Sequence, residues 1–252
     1  MDGKEAFTEK AGHYAASRPG YAPELYDALY DRCGFSESSV IADVGTGTGL
    51  FARGLLSRGS RVLGVEPNTA MRGRAQTLCE EYPGFTLHPG DAAATGLDAG
   101  SVDFVTAAQA FHWFDTAAFA AECRRILRPE GKVLLVWNLR DMDSDVNRDL
   151  YTVNSFYCPD FHGFSGGVRR GDKRIAEFFT PGYEELSFPA PLELERETFV
   201  RWCLSGSYAP REGNYAFGAY RAAVGDIFDR YGSGGVLTVA NDTVAYFGSV
   251  GE

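Results

Sequence analysis

Three glycines at alternate positions, Gly45, Gly47 and Gly49, follow the run Val40-Ile41-Ala42-Asp43-Val44 and lead straight into a helical pattern at Leu50. A strand that enters a glycine turn and leaves it as a helix makes a site for a nucleotide-like ligand. The glycines let the backbone approach the ligand, and the first helical turn offers N–H groups with no partner of their own. Such a site also needs an acid at the end of the next strand, to accept hydrogen bonds from a ribose diol. Glu66 stands in that place, 19 residues after Gly47. The spacing departs from the dinucleotide fingerprint GxGxxG, because Leu50 occupies the position of its third glycine.

A second group of reactive residue types lies in Phe111-His112-Trp113-Phe114. His112 follows the fourth apolar run, where open α/β sheets place their ligands. It could take a proton from a nucleophile, hydrogen-bond an acceptor, or simply satisfy the loop backbone beside Trp113. Trp113 could wall a pocket, as could Phe111 and Phe114, or the three rings could pack among themselves. Tyr14 and Arg18 precede the sheet and could fold over a ligand, with Arg18 pairing to a carboxylate. Other patterns fail on detail. Asp141-Met142-Asp143-Ser144-Asp145 lacks the glycine and glutamate of a calcium loop, having Val146 sixth and Thr152 twelfth. The four histidines, one of them four residues from Cys158, complete no metal shell, so no metal is expected. Neither GxSxG nor HExxH occurs, which leaves hydrolase chemistry without a motif. The basic cluster Arg169-Arg170 with Lys173-Arg174 reads as solvated surface, with an acidic substrate as the alternative.

The elements that must hold these residues follow from hydrophobic period. Short β-branched runs at 40–44, 61–65, 85–88, 101–107 and 132–137 alternate with helix-period stretches, the pattern of βαβ units around a parallel sheet. A helix over Leu50 to Arg58 stops at Gly59, Asn68 and Asp115 cap two more, and Arg128-Pro129-Glu130-Gly131 turns the chain into the clearest buried strand. Residues 140–182 read as helices and loops, 183–188 as a sixth strand and 196–230 as helical. The runs 236–239 and 243–247, joined through Asn241-Asp242, read as a final extended pair. No repeat or linker interrupts the chain, so one domain with insertions is expected.

The composition fits this reading. The 252 residues are 44% hydrophobic and 23% charged, ordinary for a globular protein and too apolar for disorder. Lysine and arginine number 24 against 34 acids, a net charge of −10 that disfavours nucleic acid as a partner. No apolar run approaches a membrane span, and the polar start Met1-Asp2-Gly3-Lys4-Glu5 has no signal-peptide core behind it. Five scattered cysteines without a CxxC pair point to a reducing cytoplasm.

Asp43-Val44-Gly45-Thr46-Gly47-Thr48-Gly49 resembles the first motif of the class I S-adenosylmethionine-dependent methyltransferases, and the resemblance covers roughly residues 40–139. Gly90-Asp91-Ala92 is similar to the segment that lies beside the adenine in that family. A narrower resemblance, in Ala108-Gln109-Ala110-Phe111-His112-Trp113-Phe114-Asp115 and in Tyr14 with Arg18-Pro19-Gly20-Tyr21, is to the methyltransferase type 11 group that includes trans-aconitate methyltransferase-like proteins. It implies a doubly wound, Rossmann-like α/β fold with a seven-stranded, mostly parallel sheet and an antiparallel last strand. Residues 1–35 would form N-terminal lid helices, 36–139 the cofactor-binding core, and 140–252 substrate-side insertions and the last strands. The cofactor implied is S-adenosyl-L-methionine, held by Tyr14, Arg18, Gly45, Thr46, Gly47, Glu66, Pro67, Asn68, Met71, Asp91, Ala92 and Gln109. His112 would be catalytic, and Trp113, Trp137 and Arg140 would meet a small-molecule acceptor methylated at oxygen, as a carboxylate or a hydroxyl. The alternatives are a non-catalytic cofactor-binding protein and a nicotinamide-dependent oxidoreductase, the latter disfavoured by Leu50.

Overall fold

The computed structural model describes residues 20–251, so Tyr14, Arg18 and most of the expected lid lie outside the described residues. After helix α1 (Pro23–Arg32), the chain alternates strand and helix: β1 (Val40–Val44), α2 (Leu50–Leu56), β2 (Arg61–Val65), α3 (Thr69–Leu78), β3 (Phe85–His88), β4 (Val102–Ala108), α4 (Thr116–Ile126) and β5 (Leu127–Arg140). Then come α5 (Asp145–Tyr157), α6 (Lys173–Phe178), β6 (Phe179–Pro189), β7 (Leu192–Glu195), α7 (Arg196–Leu204), α8 (Phe217–Tyr231), β8 (Val236–Val239) and β9 (Asn241–Val250).

Seven strands form one sheet in the order β3-β2-β1-β4-β5-β9-β6, mostly parallel with an antiparallel strand. The pairs β1–β2, β1–β4, β2–β3 and β4–β5 are parallel. Parallel strands carry helices on both faces, which is why β5 contains the unbroken apolar run Val133-Leu134-Leu135-Val136-Trp137; residues 133–139 are all buried. Strand order reverses between β1 and β4. The crevice at their carboxyl ends is the place where such sheets hold ligands, and the glycine turn and the His112 segment both lie there.

Three details differ from the sequence reading. The last two strands are not partners: β8 pairs antiparallel with β7 in a separate two-stranded sheet, while β9 enters the main sheet. Burial explains the separation. Residues 243–248 of β9 are all buried and need cover on both faces, whereas β8 is alternately buried and open, as suits a one-sided pair. The expected turn at 128–131 is an excursion within β5, between Leu127 opposite Val102 and Lys132 opposite Phe104, with Glu130 at φ +67°. The helical stretch from 196 breaks into α7 and α8 across a segment containing Gly206, Pro210 and Gly213.

The described residues fall into two compact units. The first comprises Gly20–Trp137, Arg169–Phe188 and residues 243–251; the second comprises Asn138–Val168 and Pro189–Asp242. In the first, Leu25, Leu29, Ile41, Leu55, Val62 and Leu134 belong to one buried cluster. In the second, Leu150, Phe199, Tyr220, Val224 and Leu237 belong to another. Among the described residues no helix is long and apolar enough to cross a membrane.

Candidate functional site

The glycine turn is built by backbone geometry that only glycine adopts readily. Gly45, Gly47 and Gly49 have φ of +71°, +58° and +83°. The turn continues the pairing of β1, because the N–H groups of Gly45 and Thr46 both donate to the Val65 carbonyl, at 2.8 and 3.1 Å. Around Gly45 there is no room: a Cβ there would stand 2.7 Å from the Ala110 Cβ. Around Gly47 there is space, the nearest atom to such a Cβ being the Gly45 carbonyl oxygen at 3.9 Å. The turn is thus closed on the protein side and open on the other.

Glu66 closes the turn from the end of β2. One carboxylate oxygen accepts from the Gly47 N–H at 3.0 Å and the other from the Asn68 N–H at 2.9 Å. Burial pushes its pKa up, while those two donors and the Arg72 guanidinium pull it back. Each oxygen keeps a second lone pair for a ribose hydroxyl. Asn68 caps α3, its side-chain oxygen accepting from the N–H groups of Ala70 and Met71. Met71 is buried beneath that turn, and Pro67 is exposed beside it.

Asp43 is the anchor whose role the sequence reading left unassigned. It is fully buried at the end of β1, and its two oxygens accept from the Thr46 and Thr106 hydroxyls at 2.5 and 2.7 Å. It therefore ties the glycine turn to β4. Burial, the largest influence, pushes its pKa up to about 6; the two hydroxyls oppose this and the Glu66 charge adds to it. A raised folded-state pKa means that the folded chain holds a proton which the unfolded chain, at about 3.9, has released. That contribution to stability is complete below about pH 4 and is lost as pH rises through about 6, a change on the order of 2–3 kcal/mol. Asp43→Asn should remove this slope. The melting temperature of the wild type, less that of the variant, should fall between those pH values; a difference flat with pH would mean that Asp43 titrates normally.

The segment that the resemblance places beside the adenine follows β3. Gly90 admits no side chain, since a Cβ would lie 2.3 Å from the Thr95 carbonyl oxygen. One Asp91 oxygen accepts from the N–H groups of Ala93 and Ala94, which fixes a tight turn around buried Ala92. Sequence reasoning missed the residue that holds this loop in place. Glu122, on α4, accepts from the Thr95 N–H and hydroxyl and from the Arg125 guanidinium, which also reaches the Leu97 carbonyl. Arg125 is the main reason that the Glu122 carboxyl is held down at about 2. An acid three residues before an arginine was the only signal in the sequence.

After β4, Gln109 takes φ +55°, a conformation uncommon for a side-chain-bearing residue, and donates its N–H to the Val136 carbonyl. The chain then makes a 3-10 turn over Phe111–Trp113. Ala110 and Phe114, at its two ends, pack against Gly45, so His112 is carried directly on the glycine turn. Phe111 packs inward as a core ring against Phe178 and Trp137, while half-buried Phe114 meets Phe119. Trp113 is 59% exposed. Trp137, expected at the acceptor, is completely buried, and its indole N–H donates to His112 Nδ1 at 3.4 Å. Its part is to hold the histidine. Arg140 falls in the second unit. Among the described residues no group of three or more His, Cys, Asp or Glu is assembled that could hold a metal ion.

The residues present fit S-adenosylmethionine: an open glycine cradle, a carboxylate whose oxygens keep spare lone pairs, and a tight turn after β3. Residues 42–135 match the family model described as a methyltransferase domain. The chain is similar to an uncharacterized methyltransferase of Mycobacterium tuberculosis, with 38% identity over 136 residues, 54% of this chain and 53% of that protein. It is also similar to one from Schizosaccharomyces pombe, with 33% identity over 136 residues, again 54% and 53% of the two chains. The chain thus matches about half the length of these curated relatives. A solved structure from Anaeromyxobacter dehalogenans superposes with a TM-score of 0.71 at 24% identity, covering 92% of this chain and 97% of that one. That likeness shows the fold.

Proposed function

We propose that this chain, which carries the class I S-adenosylmethionine-dependent methyltransferase fold, transfers a methyl group from that cofactor to a carboxylate oxygen of a small molecule. When bound, the cofactor supplies a methyl group already activated on a sulfonium. The task left to the protein is to hold the acceptor in line and exclude water, which can contribute several kcal/mol, up to about 7–11 for ideal placement.

The observation that carries the choice of acceptor is the hydrogen bond from Trp137 to His112 Nδ1. An Nδ1 that accepts is unprotonated, so the neutral ring carries its proton on Nε2. Held in that tautomer, His112 donates from Nε2 and is not poised to remove a proton. A hydroxyl acceptor needs its proton removed during attack; a carboxylate has none to lose. His112 then orients a carboxylate by donating to it, and Trp113 covers it.

The test is turnover with cofactor labelled at the methyl group and a panel of small carboxylic acids and alcohols. The expected product releases its label as methanol in mild alkali, as a methyl ester does and an ether does not. His112→Ala should keep cofactor affinity within about threefold and reduce turnover by about tenfold or less, with no pH dependence near the ordinary histidine pKa of about 6.5. Alkali-stable label, or a loss on the order of a hundredfold with a histidine-like pH profile, would instead assign a hydroxyl acceptor and a general base.

A further inference from the structure

Among the described residues of the second unit, one cation, Arg140, has no counter-charge. Arg140 is the last residue of β5, and its guanidinium lies 4.1 Å from the Trp202 ring centroid and 5.3 Å from that of Phe164. Its Nη1 is buried with no hydrogen-bond partner. The ionisable groups that act on it are the Tyr208 hydroxyl and the Cys203 thiol, with no carboxylate among them. Burial pushes that thiol up to about 12, so it offers no anion at neutral pH, and burial pulls the guanidinium down to about 10.

A guanidinium presents two apolar faces and an edge of five N–H donors. Stacking on aromatic rings satisfies the faces and leaves the edge unanswered. An arginine kept only for packing would turn that edge toward backbone carbonyls, as Arg72 does with the carbonyls of Glu66 and Pro67.

The segment that brings Phe164 to Arg140 is left-handed at four positions, three of them glycines that adopt this backbone freely and one, Ser165, that does not. Gly163, Ser165, Gly166 and Gly167 have φ of +105°, +53°, +67° and +80°. Ser165, the non-glycine among them, is held by donating its hydroxyl to the Asn138 carbonyl at 2.9 Å. Backbone strain of this kind persists where the surroundings impose it, and it clusters at ligand clamps. Phe164, Trp202 and Tyr208 are each only partly buried, so the rings around the guanidinium remain reachable.

We propose that Arg140, Trp202 and Phe164 form a binding site for a small organic carboxylate with an apolar body, the carboxylate pairing side by side with the guanidinium edge. Two parallel N–H···O bonds would answer the unpaired donors, in a setting already stripped of water. The apolar body would lie against the flanking rings. The site lies within one unit and stands whether or not the chain transfers a methyl group.

Benzoate is the probe, with benzamide as its uncharged counterpart and inorganic phosphate as the competing oxoanion, each followed by calorimetry and by melting temperature on the full chain. Benzoate should bind and raise the melting temperature, and neither benzamide nor phosphate should. Arg140→Lys keeps the charge without the two-pronged edge and should weaken benzoate by about tenfold or more. Arg140→Met should abolish the benzoate effect while melting, without ligand, no lower than the wild type, because it removes an unpaired buried charge. Affinity for S-adenosylhomocysteine should be unchanged in both variants, which separates this site from the cofactor site. Equal benzoate binding by Arg140→Met, equal binding of benzamide, or preference for phosphate would overturn the proposal. So would an Arg140→Met chain that melts well below the wild type while benzoate leaves the wild type unmoved, since Arg140 would then serve packing alone.

Discussion

Glu66→Ala is expected to bind S-adenosylhomocysteine roughly ten- to a hundredfold more weakly than the wild type while remaining folded. The carboxylate holds the Gly47 and Asn68 N–H groups at 3.0 and 2.9 Å, and so fixes the turn before any ligand arrives. A ribose diol would add two more charge-assisted hydrogen bonds, each worth roughly 1.5–3 kcal/mol. Since about 1.4 kcal/mol is tenfold in affinity, losing one such bond is sufficient for the lower figure. Glu66→Gln should be little better than alanine. Its amide nitrogen must face either Gly47 or Asn68, and both of those groups are donors. Calorimetry measures the affinity, and circular dichroism establishes that the variants fold. Unchanged affinity in a folded variant would remove Glu66 from the site. Tighter binding of NAD than of S-adenosylhomocysteine to the wild type would keep a ribose site but reassign the cofactor.

What could be read from the sequence divides along a physical line. The spans of β1, β2 and β3 and the caps at Asn68 and Asp115 were legible because each depends on a local pattern: an apolar run, a turn glycine, a side chain one turn from its own backbone donor. The partner of β8 was not. Val236–Val239 and Asn241–Val250 are adjacent in sequence, and adjacency favours a hairpin. Only the completely buried middle of β9 shows that it needs cover on both faces, and that cover comes from distant residues. The site shows the same division. Glu66 could be found by counting residues from the glycine turn. The functions of Asp43, Glu122 and Trp137 rest on partners between three and 63 residues away: Thr46 and Thr106 for Asp43, Thr95 and Arg125 for Glu122, His112 for Trp137. Trp137 was misplaced because an aromatic residue near a strand end reads equally well as lining or as core.

Gly45 should be the least replaceable residue of the turn, and the reason can be separated into two parts. A side chain at φ +71° adopts a left-handed backbone, which costs roughly 1–2 kcal/mol. The added Cβ would also stand 2.7 Å from the Ala110 Cβ and 3.2 Å from the edge of the Phe114 ring. The Ala110 Cβ is fixed to its backbone and cannot swing aside, so overpacking adds roughly 1–3 kcal/mol more. Gly45→Ala should therefore destabilise the chain by roughly 2–5 kcal/mol in denaturant unfolding. The collision pushes on the segment from Ala110 to Phe114, which carries His112, so cofactor affinity and turnover should fall together, each by about tenfold or more. Ala110→Gly removes the atom that is struck. The double variant should recover the packing part and keep the backbone part, leaving a deficit of about 1–2 kcal/mol and most of the binding restored. Gly47→Ala is the control: its φ of +58° carries a similar backbone cost, but its Cβ would meet nothing closer than 3.9 Å, and Ala110→Gly should give it no relief. Strictly additive effects of Gly45→Ala and Ala110→Gly would mean that the two residues do not touch as described, and that the His112 segment is held on the turn by something other than this contact.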